Sequence, residues 1–447
     1  MYLNKLRKPN GDIYLSIREK YHVPKKGARE RTIESIGYLS KLKEQYDDPI
    51  AHFTRYAKEL TEKAKEERSV SITIDRQEKL EVGTNDTRNV GYGIIKALYK
   101  ELELDKFWNW KTRGKKTKFS TDQIFRLLTF SRALNPGSKK YTLESRDFFF
   151  EPFDGFSLDD IYNALDIIAE NHEALQQWIY EHSKKICDRD MSVSYFDCTN
   201  YYFDISHPDV DELDDDGNPV DKEGNPVPAK YRKRGPEKNH RPDPIVEMGL
   251  LMDRNGIPIA YDLFPGNESE KVHMRPIINR VKNEFEDCRV IYVADRGLNT
   301  SDNIYKINGD NKGDNNERDG YYSIVTSELR MSDREMREVY NGLKKIEDSF
   351  KVTKTCFESR PVYVRTNAHI DAHFATCFLA LVLIRLLEHK LDNAFPLPRI
   401  LDSLKKYACT HIDSNNWQFT YYDEIIEACG KAFDMKLDNK YRTQQEI

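Results

Sequence analysis

Two aspartate-bearing runs of β-forming residues constrain this chain more than any other feature. VSYFDCTNYYFDI (Val193–Ile205) is aromatic and β-branched, with Asp197 breaking the run. RVIYVADRG (Arg289–Gly297) is almost continuously apolar until Asp295, and a strand with that composition needs both faces of its sheet covered. Between them, IVEMGLLMD and PIAYDLFPG read as strands joined by an Asp-Arg-Asn-Gly turn, and Lys271–Asp287 reads as a helix. Paired strands, a crossover helix, a buried strand and a further helix describe a mixed α/β sheet. Several nuclease folds share that texture equally.

The segments around this core read differently. DIYLSIREKY and RTIESIGYL alternate polar and apolar residues across HVPKKGARE, a hairpin pattern. Helical spacing runs from about Asp48 to Arg68, SVSITI is a short strand, and VGTNDTRN is a linker. Gly91 to Asp188 is helix-rich, with Ser120 and Ser157 as helix caps. After Asp295, INGDNKGDNNERDG (Ile307–Gly320) is a loop, YYSIVTS a strand and Ser332–Thr353 an amphipathic helix. Helical spacing resumes from Asn367 to Leu391, and the polar C-terminal tail is expected to fray. The expected division is a hairpin and helix region (1–80), a helical domain (81–189), an α/β domain (190–395) and a helical tail (396–447).

Bulk properties exclude some classes. The chain has 447 residues, enough for roughly two to four domains. Its most apolar stretch, Phe374 to Leu387, contains Arg385 and is shorter than the roughly 20 residues of a membrane span. It reads as a buried helix, and the N-terminus lacks a secretory apolar run. Seven cysteines without a CxxC pair argue for a reducing, cytoplasmic setting. The net charge of -5 argues mildly against a nucleic-acid partner. That average hides acid crowded into Asp209–Glu223 and base crowded into Lys111–Lys118 and Lys230–Arg241.

Asp197, Asp295 and Glu347 are the candidate chemistry. An aspartate at a strand end beside a crevice is where α/β sheets build sites, and buried carboxylates are costly unless solvated or paired. Tyr340, Leu343, Glu347, Phe350, Lys351 and Lys354 recur at helical spacing and so share one face. Three carboxylates from two strands and a helix suit two Mg²⁺ or Mn²⁺ ions, which favour oxygen ligands and support phosphodiester cleavage. Lys351 and Lys354 would grip phosphate, and Tyr340 would stack on a base. The plainer reading is a turn aspartate and a solvated Glu–Lys face, and periodicity alone favours it. Zinc hydrolase, phosphate-loop and EF-hand signatures are absent, and His369 and His373 read as structural.

Longer strings add to this. VYNGLKKIEDSFKVTK resembles the Y-x-x-R-x-x-x-E-x-x-x-x-x-x-K signature of the IS-Four-like DDE transposases of bacterial insertion elements, with Tyr340, Glu347 and Lys354 on its Tyr, Glu and Lys. VSYFDCTNYYF and VIYVADRGLN are similar to the segments around that family's two aspartates. PIAYDLFPGNESEK, ESRPVYVRT and ALNPGSK (Ala133–Lys139) resemble other parts of it, so most of the chain is covered. The resemblance implies an RNase H-like core and two Mg²⁺ or Mn²⁺ ions on Asp197, Asp295 and Glu347. It further implies cleavage and joining at terminal inverted repeats, with target DNA as second substrate and a homodimer at synapsis. Arg296, Tyr340, Lys344, Lys351 and Lys354 would touch DNA.

Two departures stand out. The signature's arginine position is Leu343, beside Lys344 and Lys345. The interval between Asp295 and Glu347 lacks the long, largely β insertion usual in relatives. Three functions follow: an active transposase acting on the nucleoid, an internally deleted derivative that binds transposon ends without cutting, and a related nuclease that cuts without joining.

Overall fold

The structure, a computed structural model, describes residues 1–9, 11–23, 27–68, 77, 79, 82–236, 242–269, 276–277, 279, 291–294, 332–413 and 415–447. It divides into two units, Met1–Thr84 and Asn85–Ile447.

The first unit is an antiparallel sheet of β1 (Tyr2–Arg7), β2 (Ile13–Val23) and β3 (Gly27–Tyr38), followed by the single turn α1 (Leu39–Leu42) and by α2 (Pro49–Arg68). The β2–β3 pair is the hairpin expected from alternation, and β1 extends it. Leu15 and Ile17 are buried, as are Phe53 and Ala57 of α2.

The second unit begins with β4 (Thr87–Asn89), inside the stretch read as a linker. Helices α3 (Tyr92–Glu101), α4 (Leu104–Lys111), α5 (Thr121–Leu134), α6 (Lys139–Glu144), α7 (Leu158–Glu170) and α8 (His172–Ser183) follow. Ser120 accepts a hydrogen bond from the Gln123 amide, and Ser157 forms a capping box with Asp160, so both cap helices. Then come β5 (Val193–Tyr202), the short hairpin β6 (Glu212–Leu213) and β7 (Pro219–Val220), β8 (Ile245–Asp253), β9 (Pro258–Pro265) and β10 (Ile291–Ala294). The chain continues with α9 (Asp333–Asn341), α10 (Lys344–Thr355), α11 (Asn367–Lys390), α12 (Leu397–Lys406), β11 (Ala408–Asp413), β12 (Asn416–Phe419), α13 (Glu424–Ala432) and β13 (Tyr441–Thr443).

The central sheet has the order β10-β5-β8-β9, with β10 parallel to β5 and the other pairs antiparallel. Strands β5, β8 and β9 are largely buried because both faces are covered there. Met248, Leu250 and Met252 join the main core with the helices, while Phe196, Leu251 and Ile259 join a second cluster. Helix α11 is apolar enough to cross a membrane by composition, yet it runs through the protein interior, with every residue from Ala372 to Leu387 buried. Each fully buried Leu or Phe there contributes roughly 1.5–3 kcal/mol.

Three expectations change. The C-terminal tail is not a fraying helix: β11, β12 and β13 form a sheet with β4, from the start of the unit. Strand pairing across so long a separation leaves no local sequence signal. The stretch Ser332–Thr353 is not one helix but two, α9 and α10, joined by three-residue hydrogen bonds at Gly342 and Leu343. The expected linker contributes a sheet edge. SVSITI, Ile307–Gly320 and YYSIVTS lie outside the described residues, as does nearly all of Lys271–Asp287.

Candidate active site

Strand β5 carries Val193, Tyr195, Asp197, Thr199 and Tyr201 on one face by its two-residue period. Val193, Tyr195 and Tyr201 join the main core, while Phe196 and Cys198, on the opposite face, join the second cluster. Asp197 is thus a half-buried carboxylate on the helix-facing side. It stands opposite Leu250 of β8, and its Oδ1 accepts the Cys198 amide at 2.8 Å.

Helix α10 is anchored to that face at two places. At its approach, a Cβ on Gly342 would stand 1.9 Å from the Tyr195 hydroxyl, so only glycine lets helix and strand come this close. At its far end the Tyr201 hydroxyl and Thr353 Oγ1 are 2.8 Å apart. Beside them Lys354 Nζ donates to Thr199 Oγ1, and its ammonium lies 5.6 Å from the centre of the Tyr201 ring. Strand and helix therefore run in the same direction, and both acids fall between the anchors. Asp197 precedes Thr199 by about 6.6 Å along the strand at ~3.3 Å per residue. Glu347 precedes Lys354 by about 10.5 Å along the helix at ~1.5 Å per residue. Seven residues make nearly two turns, so Glu347 shares the stripe of the Lys354 that touches β5. Glu347 is exposed, and its carboxylate has no hydrogen bond or ion pair among the described residues.

The backbone beneath Glu347 is held from behind by a residue that periodicity had assigned only to a buried helix. Arg385 of α11, itself buried, donates through Nη2 to the Lys345 carbonyl at 2.7 Å and through Nε to Ser349 Oγ at 3.1 Å. Its Nη1 bonds Glu388 at 2.7 Å. A charged group inside an apolar helix was the available signal, since a buried arginine needs such partners. Thr199 and Thr353 were missed because a lone threonine in a strand or helix carries no such signal.

The remaining candidates scatter. Tyr340, on α9, is half-buried against the core. Leu343, at the signature's arginine position, is a core residue. Lys344 and Lys351 are exposed, whereas Lys345 extends to the Arg254 carbonyl at 2.9 Å. Asp295 and Arg296 lie outside the described residues, although Ala294 pairs with Phe196, the neighbour of Asp197. Among the described residues no group of three His, Cys, Asp or Glu side chains forms a metal cluster. Asp197 and Glu347 do supply the hard oxygen donors that a divalent cation favours, so the donor chemistry fits such an ion. His369 pairs with Asp166 at 3.1 Å, and His373 is buried against the Ser359 carbonyl at 3.4 Å.

Residues 3–75 match the IS1634 family transposase, N-terminal domain, and residues 216–383 match the transposase DDE domain. The chain belongs to the DDE transposases of insertion elements. No curated protein matches it. The DDE match includes Asp295 and Glu347 and begins after Asp197. DDE transposase domains belong to enzymes of polynucleotidyl-transferase type that use divalent metal ions.

Proposed function

We propose that this transposase cuts and joins DNA at the terminal inverted repeats of its insertion sequence through an RNase H-like site of Asp197, Asp295 and Glu347. The observation that carries the proposal is the pairing of α10 with β5, which sets Asp197 and Glu347 between two anchors on facing surfaces. The antiparallel β5-β8-β9 meander with β10 parallel beside β5 supports the RNase H-like reading.

The three carboxylates would hold two Mg²⁺ or Mn²⁺ ions, which when bound activate the attacking oxygen and stabilise the leaving one. The chain's own part is positional. Arg385 fixes the helix turn that carries Glu347, and Thr199 and Tyr201 fix Lys354, whose cation favours phosphate nearby. Lys344 and Lys351 are solvent-facing cations suited to backbone contacts, and Arg296 and Tyr340 complete the DNA-contact set. Target DNA is the second substrate, two copies pair at synapsis, and the setting is the nucleoid.

The short interval between Asp295 and Glu347 supports a second reading, an internally deleted derivative that binds ends without cutting. One assay separates the two: Mg²⁺- or Mn²⁺-dependent cleavage of a duplex carrying the terminal repeat, beside a Glu347→Gln control. Specific nicking abolished in the control supports the enzyme. Retarded DNA migration without nicking supports the derivative.

A further inference from the structure

ALNPGSK and ESRPVYV, two strings that the reaction leaves without a role, meet in space. They wall a cavity of about 510 Å³ lined by Gly137, Ser138, Glu358, Arg360, Pro361 and Tyr363. Arg132, buried behind it, ties the walls together. Its Nη2 donates to the Gly137 carbonyl at 3.1 Å, and its Nη1 to the carbonyls of Phe357 at 3.0 Å and Glu358 at 3.3 Å. That is a structural role.

Lys139 has none. It follows Ser138 of the wall and is only 5% exposed. Among the described residues its ammonium has no hydrogen-bond or carboxylate partner; the groups near it are the Arg132 guanidinium of α5 and, on α11, Cys377 and the His373 ring, which burial keeps neutral. Two cations packed together without an acid are costly unless an anion approaches them. The mouth suits one. Arg360 forms no ion pair among the described residues, and Tyr363 of the wall is 62% exposed. The rim's single acid, Glu358, is solvent-exposed. The place is also right. The Val362 amide donates to the Tyr202 carbonyl at 3.0 Å, and the Arg360 guanidinium lies 5.8 Å from the Tyr202 ring centre. The cavity therefore opens at the end of the strand that carries Asp197, about 16 Å further along at ~3.3 Å per residue. That distance spans roughly five base steps at ~3.4 Å each.

We infer that this cavity is an anion subsite that takes one backbone phosphate of the bound DNA, with Arg360 at its mouth and Lys139 and Arg132 behind. The inference rests on the DNA-binding part of the proposed function and not on cleavage.

The test is a salt titration of full-length protein binding to a labelled terminal-repeat duplex, by fluorescence anisotropy without divalent metal. Each phosphate contact adds about 0.9 to the slope of log affinity against log salt. Arg360→Gln should therefore lower the slope by about 0.9, cutting the loss of affinity between 50 and 200 mM salt by about 3.5-fold, alike for all sequences. Arg360→Lys, which keeps a point charge, should restore the slope. Lys139→Met should lower it too, and reports separately if Arg360→Gln misfolds. Unchanged slopes in both charge-removing variants overturn the subsite. Wild-type protein that binds DNA with these slope changes but never nicks it sinks the catalytic reading and leaves the subsite standing. Wild-type protein that does not bind DNA sinks both.

Discussion

Lys139→Met should make this protein more stable, and only below about pH 10. Burial, and then the nearby Arg132 charge, push the Lys139 pKa down from 10.5 to about 7. The sign follows from proton counting. Between about pH 7 and 10.5 the unfolded chain holds a proton on Lys139 that the folded chain has released, so stability rises with pH across that window. Below about pH 7 the folded protein must carry the buried charge and bears the whole penalty. At ~1.36 kcal/mol per pKa unit, the shift amounts to about 5 kcal/mol, which local relaxation and water penetration would reduce. Methionine has a similar length and no charge, so it removes the penalty at little packing cost. The groups facing this site are Arg132 of α5 and His373 and Cys377 of α11. His373 is itself held well below its ordinary pKa by burial, then by Arg132 and Lys139, so the substitution relieves it slightly in acid. Urea unfolding of both proteins at pH 6, 8 and 10.5 measures the effect. The variant should lead by a few kcal/mol at pH 6, by less at pH 8, and by little at pH 10.5. Parallel stability curves across that range would refute the reasoning, because they would mean that Lys139 is solvated or paired in the folded protein.

Three further outcomes are expected. Asp197→Asn and Glu347→Gln should each lower metal-dependent nicking by ~10³-fold or more, about 4 kcal/mol of barrier, with unchanged thermal unfolding; retained nicking would remove them from the site. Gly342→Ala should destabilise by ~1–3 kcal/mol through contact with the Tyr195 hydroxyl, and Tyr195→Leu should relieve part of that loss in the double variant. Asp253→Asn should cost ~3–5 kcal/mol in urea unfolding, since it strands Arg189, whose Nε meets Asp253 at 2.5 Å with both side chains buried. The double variant Arg189→Met/Asp253→Leu should recover most of it, and failure to recover would show that the cost is packing.

What the sequence made legible was local. Period-two alternation located β2 and β3, apolar continuity located β5, β8, β9 and β10, and serine caps marked the starts of α5 and α7. The stripe shared by Glu347 and Lys354 was legible because seven residues nearly close two helical turns. What stayed hidden was set by partners distant in sequence. β4 looks like a linker because its strand partner lies beyond residue 400. Tyr195 leaves Gly342, between α9 and α10, no room for a side chain, and nothing around Gly342 announces that neighbour. In sequence Arg385 is a single cation among apolar residues, whereas Lys139 is one of two adjacent lysines after a turn. Only packing shows that one is fully hydrogen-bonded and the other is not.

The same distinction resolves the charge question. A net charge of -5 counts against a nucleic-acid partner only if the acids share the surface that DNA would meet. Many of them sit in one arm between β5 and β8, where some are held by local partners. Asp214 accepts from Asn218, and Asp221 from Asn225, in two matching turns whose hydrogen bonds hold both carboxyls below their usual pKa. At its base Arg232 pairs with Asp209 at 2.5 Å and Lys233 with Asp211 at 2.6 Å. Lys139, Arg132 and Arg360 differ: among the described residues none of the three forms an ion pair with a carboxylate. Lys354 and Arg360 lie along β5, and Arg132 and Lys139 stand behind the cavity at its end. With acid concentrated in one arm and base gathered at the end of β5, the local field rather than the sum over the chain decides whether phosphate is attracted.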